Sequence, residues 1–145
     1  MIREARTEDL GEVLELCLSL HEHDVPESSE HLERTWKRIV EDPDYHQIVN
    51  EQDGRIVSSC VCVIVPNLTR NVRPYAIIEN VVTRSDCRRR GFAGECLAYA
   101  RRIAEREHCY KMMLMTDSKA PETLRFYEKT GYNSHDKTAF VQWLE

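Results

Sequence analysis

The chain has 145 residues, of which 41% are hydrophobic and 31% are charged, a balance typical of one ordinary globular domain. Its formal net charge is −5, which argues against general affinity for nucleic acids, because their phosphate backbone attracts a basic surface. We therefore expect one domain over residues 1–145, with no nucleic-acid partner.

The first third of the chain predicts a short strand over residues 2–5 and then two helices. Thr7 is a suitable N-cap for the first helix, because acidic residues follow it and favour the positive helix end. The apolar stripe of this helix comprises Leu10, Val13, Leu14, Cys17 and Leu18. Ser28 or Ser29 can cap the second helix. The inner side of the second helix comprises Leu32, Trp36 and Ile39.

Further along, Asp53 and Gly54 lie between two apolar runs and predict a β-hairpin. The next elements are a strand, a helix, a strand and a helix, followed by a last pair of strands. They cover residues 75–83, 91–108, 109–116, 120–130 and 131–144. The order β-α-α-β-β-β-α-β-α-β-β predicts the α/β class, with a mixed and mostly antiparallel central sheet flanked by helices.

Three consecutive arginines lie between the strand at 75–83 and the helix that follows, in the stretch TRSDCRRRGFAGECL. A helix N-terminus has unpaired backbone N–H groups and a partial positive charge, so it attracts anions. Small residues would let a phosphate approach the backbone, and the arginines would add charge. The expected pyrophosphate contacts are Arg88, Arg89, Arg90, Gly91, Ala93 and Gly94.

This loop contains neither the Walker pattern nor the Rossmann glycine pattern. Taken alone, such a pattern would more often be a solvated helix start, with glycines that allow tight packing. Their position between a strand and a helix favours the phosphate site.

The segment IIENVVTRSDCRRRGFAGECL resembles motif A of the GNAT acetyltransferases, whose pattern Q/R-x-x-G-x-G/A matches Arg88, Gly91 and Ala93. A second segment, CYKMMLMTDSKAPETLRFYEKTGY, resembles motif B of the same family. The two motifs stand in the family's order and separation. The resemblance covers essentially the whole chain, and it implies the GNAT fold with two splayed parallel strands.

The resemblance implies acetyl transfer from acetyl-CoA to an amine, without a metal. The pantetheine arm would lie between two parallel strands that separate after residues 79–82 and 113–116. Many members have an asparagine where this chain has Ala120, and Ser118 could replace its contact. The implied cofactor-binding residues are Val81, Val82, Arg88, Arg89, Arg90, Gly91, Phe92, Ala93, Gly94 and Ser118.

Two catalytic side chains are expected. Glu79 is the candidate base, because a carboxylate in the apolar strand YAIIENVV is costly unless it is paired or functional. The structural alternative is that Glu79 points to the open face or pairs with a neighbouring arginine such as Arg73. The resemblance places the Tyr127 hydroxyl near the CoA sulfur, so Tyr127 is the implied acid for the leaving thiolate. The Val82 backbone N–H is the expected oxyanion donor.

The acceptor is expected to be a small-molecule amine. The charged residues that could bind it support two opposite predictions about its own charge. Arg70 and Arg73 would suit a phosphate or carboxylate substituent, whereas an acidic loop would suit a cationic amine. The loop carboxylates are Glu22, Asp24, Glu27 and Glu30. Within the family, the glucosamine-6-phosphate N-acetyltransferases are similar in the I-E-[DN]-V-V strand, although this chain has Asn80 where they usually have Asp.

The preferred hypothesis is therefore an enzyme that moves an acetyl group to a primary amine by direct attack in a ternary complex. One alternative is a sensor domain that binds CoA without catalysis, and another is a protein or peptide N-acetyltransferase. The presence of both Glu79 and Tyr127 favours the enzyme.

The six cysteines are scattered and are expected to be reduced thiols, which suits a cytoplasmic location. No apolar run reaches about eighteen residues, so no membrane contact is expected. His21 and His23 are interpreted as polar loop residues and not as metal ligands. The apolar stretch KTAFVQWL predicts that the last strands pair with a second copy, which implies a homodimer.

Overall fold

One mixed sheet of five strands organises the computed structural model, which describes residues 1–20 and 22–145. The strands are β1 (Ile2–Glu4), β2 (Tyr45–Gln52), β3 (Arg55–Val65), β4 (Tyr75–Thr83) and β5 (Met112–Leu114). Their spatial order follows the chain order. The first four strands pair antiparallel, and β5 pairs parallel to β4. The predicted α/β class with a mixed sheet is confirmed.

Helices pack on both faces of the sheet. They are α1 (Leu10–Cys17), α2 (Glu30–Glu41), the four-residue turn α3 (Thr69–Val72), α4 (Phe92–Arg106) and α5 (Pro121–Lys129). Side chains of α1 and α2 pack on Val49, whereas α4 and α5 pack on the cluster around Ile48. Successive residues of a strand point to opposite faces, so the sheet separates two cores. No helix in the described part of the chain is long and apolar enough to cross a membrane.

Two local predictions are confirmed. Asp53 and Gly54 have φ values of 50° and 74° and join β2 to β3 as a two-residue hairpin loop, because paired positive φ values match the twist of the strands. The Ser29 hydroxyl accepts a hydrogen bond from the Leu32 N–H at 3.1 Å and caps α2.

The first helix starts later than predicted. Residues Thr7–Asp9 form a 3₁₀ turn, and the Asp9 carboxylate accepts a hydrogen bond from the Arg6 N–H at 2.6 Å. The Arg3 guanidinium contacts the same carboxylate at 2.6 Å, and this bond lowers the pKa of Asp9. The predicted Thr7 cap is therefore wrong, because a buried ion pair with β1 makes Asp9 fix the start of the helix.

The buried face of α1 also differs from the predicted stripe. Val13 and Leu16 are buried, whereas Leu18 is 40% exposed. The helix ends at Cys17, so Leu18 no longer continues the helical period. Leu16 therefore contributes to the core in its place.

The last pair of predicted strands is not formed. Residues 133–145, which we call the tail, contain no helix or strand and are exposed throughout. Phe140, Trp143 and Leu144 are 90%, 81% and 92% exposed. A strand needs a neighbouring backbone to pair with, and the tail joins no strand of the sheet formed by the described residues.

Replacing Ser29 with alanine tests the capping of α2. We expect Ser29→Ala to lower the free energy of unfolding by about 1 kcal/mol, because the Leu32 N–H loses its acceptor. Urea denaturation followed by circular dichroism measures the change. Ser28→Ala is the matched control and should stay within about 0.5 kcal/mol of the wild type. Equal losses in the two variants would show that Ser29 is not the specific cap of α2.

Candidate active site

The parallel pairing between β4 and β5 stops before β4 ends. Their parallel pairing ends at Ile78 and Leu114. Directly after this point β4 bulges, since Asn80 has a φ of 51° and the register with β3 shifts. A bulge bends its strand and interrupts the ladder. The end of the ladder agrees with the predicted splay, and we call the region beyond it the β4–β5 cleft.

Hydrogen bonds to β3 determine which backbone groups of β4 face this cleft. The Arg84 N–H donates to the Val57 carbonyl at 2.9 Å, and the Ser58 hydroxyl donates to the Val82 carbonyl at 2.8 Å. These bonds turn the backbone groups of Val82 towards β3. Neighbouring residues of a strand direct their backbone groups to opposite edges, so those of Val81 face the cleft.

The N-terminus of α4 presents donors and positive charge beside the cleft. Gly91 precedes the helix with a φ of 85°, a left-handed conformation that favours glycine. Within the described residues, the N–H groups of Phe92, Ala93 and Gly94 have no hydrogen-bond acceptor, whereas the Glu95 N–H donates to the Gly91 carbonyl at 3.0 Å. Arg88, Arg89 and Arg90 are exposed and form no ion pair with residues 1–20 or 22–145. Residues 88–94 are therefore suited to bind a phosphate group, and we call them the anion cradle.

Contacts with the core hold this cradle in place. Cys87 and Phe92 pack with Val57 in a small buried cluster, and the Arg90 guanidinium lies 5.0 Å from the centroid of the Phe92 ring. Arg84 donates from Nε to the Ile56 carbonyl at 2.7 Å. A second bond from Arg84 reaches the Glu15 carboxylate of α1 at 3.1 Å. Arg84 therefore fixes the loop to β3 and α1.

Tyr127 lies on α5 and packs on the core cluster that includes Cys60. Its ring centroid is 5.0 Å from that of Phe126 and 6.4 Å from that of Tyr132. Burial, and to a lesser degree the neighbouring Cys60, raises the pKa of the Tyr127 hydroxyl. A raised pKa keeps the hydroxyl protonated at neutral pH, which a proton donor requires.

Glu79 is exposed, next to the bulge at Asn80. The expected cost of burying its carboxylate therefore does not arise. Arg73 is not its partner, since its guanidinium donates to the carbonyls of His108 and Cys109 at 3.0 and 3.2 Å. Of the structural alternative for Glu79, the pair with Arg73 is not formed, whereas the exposure of Glu79 agrees with a side chain that points to the open face.

Ser118 precedes α5 and is engaged with the start of that helix. Its hydroxyl oxygen accepts a hydrogen bond from the Ala120 N–H at 3.3 Å and donates to the Thr123 hydroxyl at 3.2 Å. The side chain thus orders the turn that leads from β5 to α5.

Of the histidine pair that was interpreted as polar loop residues, His21 lies outside the described residues.

The sequence analysis missed a polar residue beneath the anion cradle. Asn50 of β2 is fully buried, and its amide donates to the Glu95 carboxylate of α4 at 2.7 Å. The sequence does hold a signal for it. In YHQIVNEQ, Asn50 stands two residues after Ile48 and therefore on the same buried face, where an amide must find a partner.

Comparison with known proteins gives the family. A model of the acetyltransferase (GNAT) family matches residues 8–132. The chain belongs to this family. A glucosamine 6-phosphate N-acetyltransferase of Trypanosoma brucei brucei is 33% identical over 88 residues, which are 61% of this chain and 58% of that protein. The family predicted from the two motifs is confirmed.

Solved structures of similar proteins agree with the fold. A candidate acetyltransferase from Agrobacterium tumefaciens str. C58 is 32% identical, with a TM-score of 0.90 and 99% of each chain covered. The glucosamine-6-phosphate N-acetyltransferase of Arabidopsis thaliana is 23% identical, with a TM-score of 0.87 over 100% of this chain and 98% of that chain. At this identity the second likeness concerns the fold alone.

Alanine substitutions at two glycines of the cradle test its backbone conformation. Gly91→Ala should lower the free energy of unfolding by about 1 kcal/mol, because an L residue is strained at a φ of 85°. Gly94→Ala should raise it by about 0.5 kcal/mol, since Gly94 is helical and an added Cβ would lie 3.9 Å from Phe126. Urea denaturation measures both. Changes of the same sign would contradict the left-handed conformation of Gly91.

Proposed function

We propose that this protein is an acetyl-CoA-dependent N-acetyltransferase that acts on a primary amine of a small molecule. The observation that carries the proposal is the end of the β4–β5 ladder together with the anion cradle at the start of the helix that follows β4. Membership of the GNAT family supports the same reaction.

The residues of the cleft fit acetyl-CoA, the acetyl donor of GNAT acetyltransferases. The unpaired N–H groups of α4 and the three arginines of the cradle would bind the pyrophosphate. The backbone of Val81 would pair with the pantetheine amides, because it faces the cleft. When bound, acetyl-CoA supplies the activated acetyl group. Ser118 would order the turn beside it.

Three groups of this chain would serve the transfer itself. Glu79 would accept the proton of the attacking amine, directly or through water. The Val81 N–H would donate to the developing oxyanion, and it takes the role expected of Val82 because the Val82 backbone groups face β3. Tyr127 would give its proton to the leaving thiolate. Direct attack in a ternary complex needs little beyond this positioning.

The charges of the described residues favour a cationic acceptor. Arg73 is engaged with backbone carbonyls, and Arg70 lies 5.4 Å from the centroid of the Tyr110 ring. Both stand near the start of β4, away from the bulge beside Glu79. The acidic loop between α1 and α2 is exposed and would attract a positive amine.

Cytoplasmic location and a single domain over residues 1–145 stay predictions.

Turnover of acetyl-CoA tests the proposed function. Release of the CoA thiol is measured against a panel of polyamines, amino sugars, amino sugar phosphates, amino acids and short peptides. We expect a small cationic amine to be the best substrate. Tight acetyl-CoA binding without turnover would favour the sensor domain, and turnover on peptides alone would favour a peptide acetyltransferase.

Removing the hydroxyl of Tyr127 tests its role as the acid. Tyr127→Phe should lower kcat by about 100-fold and leave the Kd of acetyl-CoA nearly unchanged, because the hydroxyl acts on the leaving thiolate. Steady-state kinetics and calorimetry separate the two effects. Tyr132→Phe, on the neighbouring ring, is the control and should retain kcat. An undiminished kcat in Tyr127→Phe would leave protonation of the thiolate to solvent.

We also propose that the protein forms a homodimer through the tail. The tail exposes Phe140, Trp143 and Leu144, and exposed apolar side chains of this size mark contact surfaces. Among the described strands, β5 pairs only with β4, so its other edge is open to a further strand. One chain therefore carries both halves of a reciprocal contact.

Sedimentation velocity tests the homodimer. The wild type should sediment as a dimer, and Phe140→Asp combined with Trp143→Asp should sediment as a monomer, because two charges would have to be buried in the contact. Lys137→Glu also changes the charge of the tail but retains its apolar residues, and it should remain dimeric. A monomeric wild type at micromolar concentration would refute the proposal.

A further inference from the structure

A buried amide connects β2 to the first turn of α4. Asn50 is 0% exposed. Its Nδ2 donates to the Glu95 carboxylate at 2.7 Å and, in a longer contact, to the Phe92 carbonyl at 3.4 Å. Its Oδ1 accepts a hydrogen bond from Gln52 Nε2 at 2.8 Å. Both ends of the amide are thus satisfied inside the protein.

The partners of Asn50 leave its amide one orientation. A carboxylate and a carbonyl only accept hydrogen bonds, so the NH₂ group must face α4. The Gln52 amide supplies the donor that the oxygen of Asn50 needs. A hydrogen bond to an ionised carboxylate is also stronger than one between neutral groups. The contact between β2 and α4 is therefore specific in direction as well as in position.

This contact adds a directional bond to the apolar packing that sets the rotation of α4 about its axis. Gly94 faces Phe126 of α5, at 3.9 Å from an added Cβ, whereas the next residue, Glu95, is bonded to Asn50 of β2. In the sheet, β2 and β5 are separated by β3 and β4. The side of α4 that faces β2, away from the cleft, is thus bonded to the sheet. The unpaired N–H groups at the start of the helix therefore keep one orientation.

The same contact sets the position of the Glu95 carboxylate, a negative charge near the anion cradle. Glu95 lies in the first turn of α4, close to the N–H groups that are suited to a phosphate. A mobile carboxylate there would compete with the phosphate for those donors and repel it. The bond to Asn50 holds the carboxylate on the β2 side of the helix.

We infer that Asn50 is a positioning residue for acetyl-CoA: through Phe92 and Glu95 it orients the anion cradle, and it thereby sets affinity for the nucleotide half of the donor. The inference rests on the proposed function. It concerns binding of the pyrophosphate and leaves the chemistry at Glu79 and Tyr127 unchanged.

The first test exchanges the donor and the acceptor of the bond. Asn50→Asp opposes two carboxylates and should raise the Kd of acetyl-CoA, measured by calorimetry, about tenfold or more. The double variant Asn50→Asp, Glu95→Gln restores one donor and one acceptor with the wild-type net charge. Its Kd should return to within about threefold of the wild type. A double variant as weak as Asn50→Asp alone would overturn the inference.

The second test separates the cradle from the rest of the fold. S-acetylpantetheine lacks the pyrophosphate, so its kcat/KM should be the same in Asn50→Asp and in the wild type. The KM of acetyl-CoA should rise while kcat at saturation stays within about twofold. A parallel loss with both donors would mean that Asn50 only supports the fold, and would overturn the inference.

A milder variant keeps the test decisive if Asn50→Asp does not fold. Glu95 is exposed, so Glu95→Ala should fold, and it should weaken acetyl-CoA binding severalfold although it removes a negative charge. Tighter binding in Glu95→Ala would show that charge alone matters and would contradict the positioning role. Glu95→Gln retains an acceptor and is the control. If the wild type itself does not bind acetyl-CoA, the proposed function fails, and this outcome is distinct from equal binding by wild type and variants.

Discussion

The candidate site depends on a stretch of β4 whose backbone no longer pairs with β5. After Ile78 the parallel ladder with β5 ends, and the bulge turns the following peptide groups into the cleft. Backbone N–H and C=O groups inside a protein need partners, so this edge is a place for a ligand with amides of its own. The sheet thus offers a binding edge between its last two strands.

The helix that begins at this edge belongs to the core and to the site at once. Along its length α4 buries Cys96, Ala100 and Ile103 against the sheet. This packing leaves its N-terminus exposed beside the cleft. Arg84 fixes the preceding loop to β3 and α1, and Asn50 fixes the first turn to β2. Rigid support of this kind reduces the conformational entropy that the loop would lose when a phosphate group binds.

Local patterns in the sequence predicted the features that depend on neighbouring residues. The Asp53–Gly54 turn, the Ser29 cap and the glycine before α4 follow from conformational preferences of a few residues. Features that depend on distant contacts were missed or placed wrongly. Asp9 replaces Thr7 because Arg3 comes from another element, and Asn50 matters only because α4 lies above it. The tail has the composition of strands, but it pairs with none of the described strands.

The bulge also explains a residue at which this chain departs from the sugar-phosphate enzymes that it resembles. Asn80 takes a φ of 51°, and among residues with a side chain asparagine and aspartate adopt this conformation most readily. Exchange of one for the other preserves the bend, whatever molecule binds nearby. The backbone conformation therefore accounts for an asparagine or an aspartate at position 80. A glycine there would relax the bend, whereas a β-branched residue would oppose it.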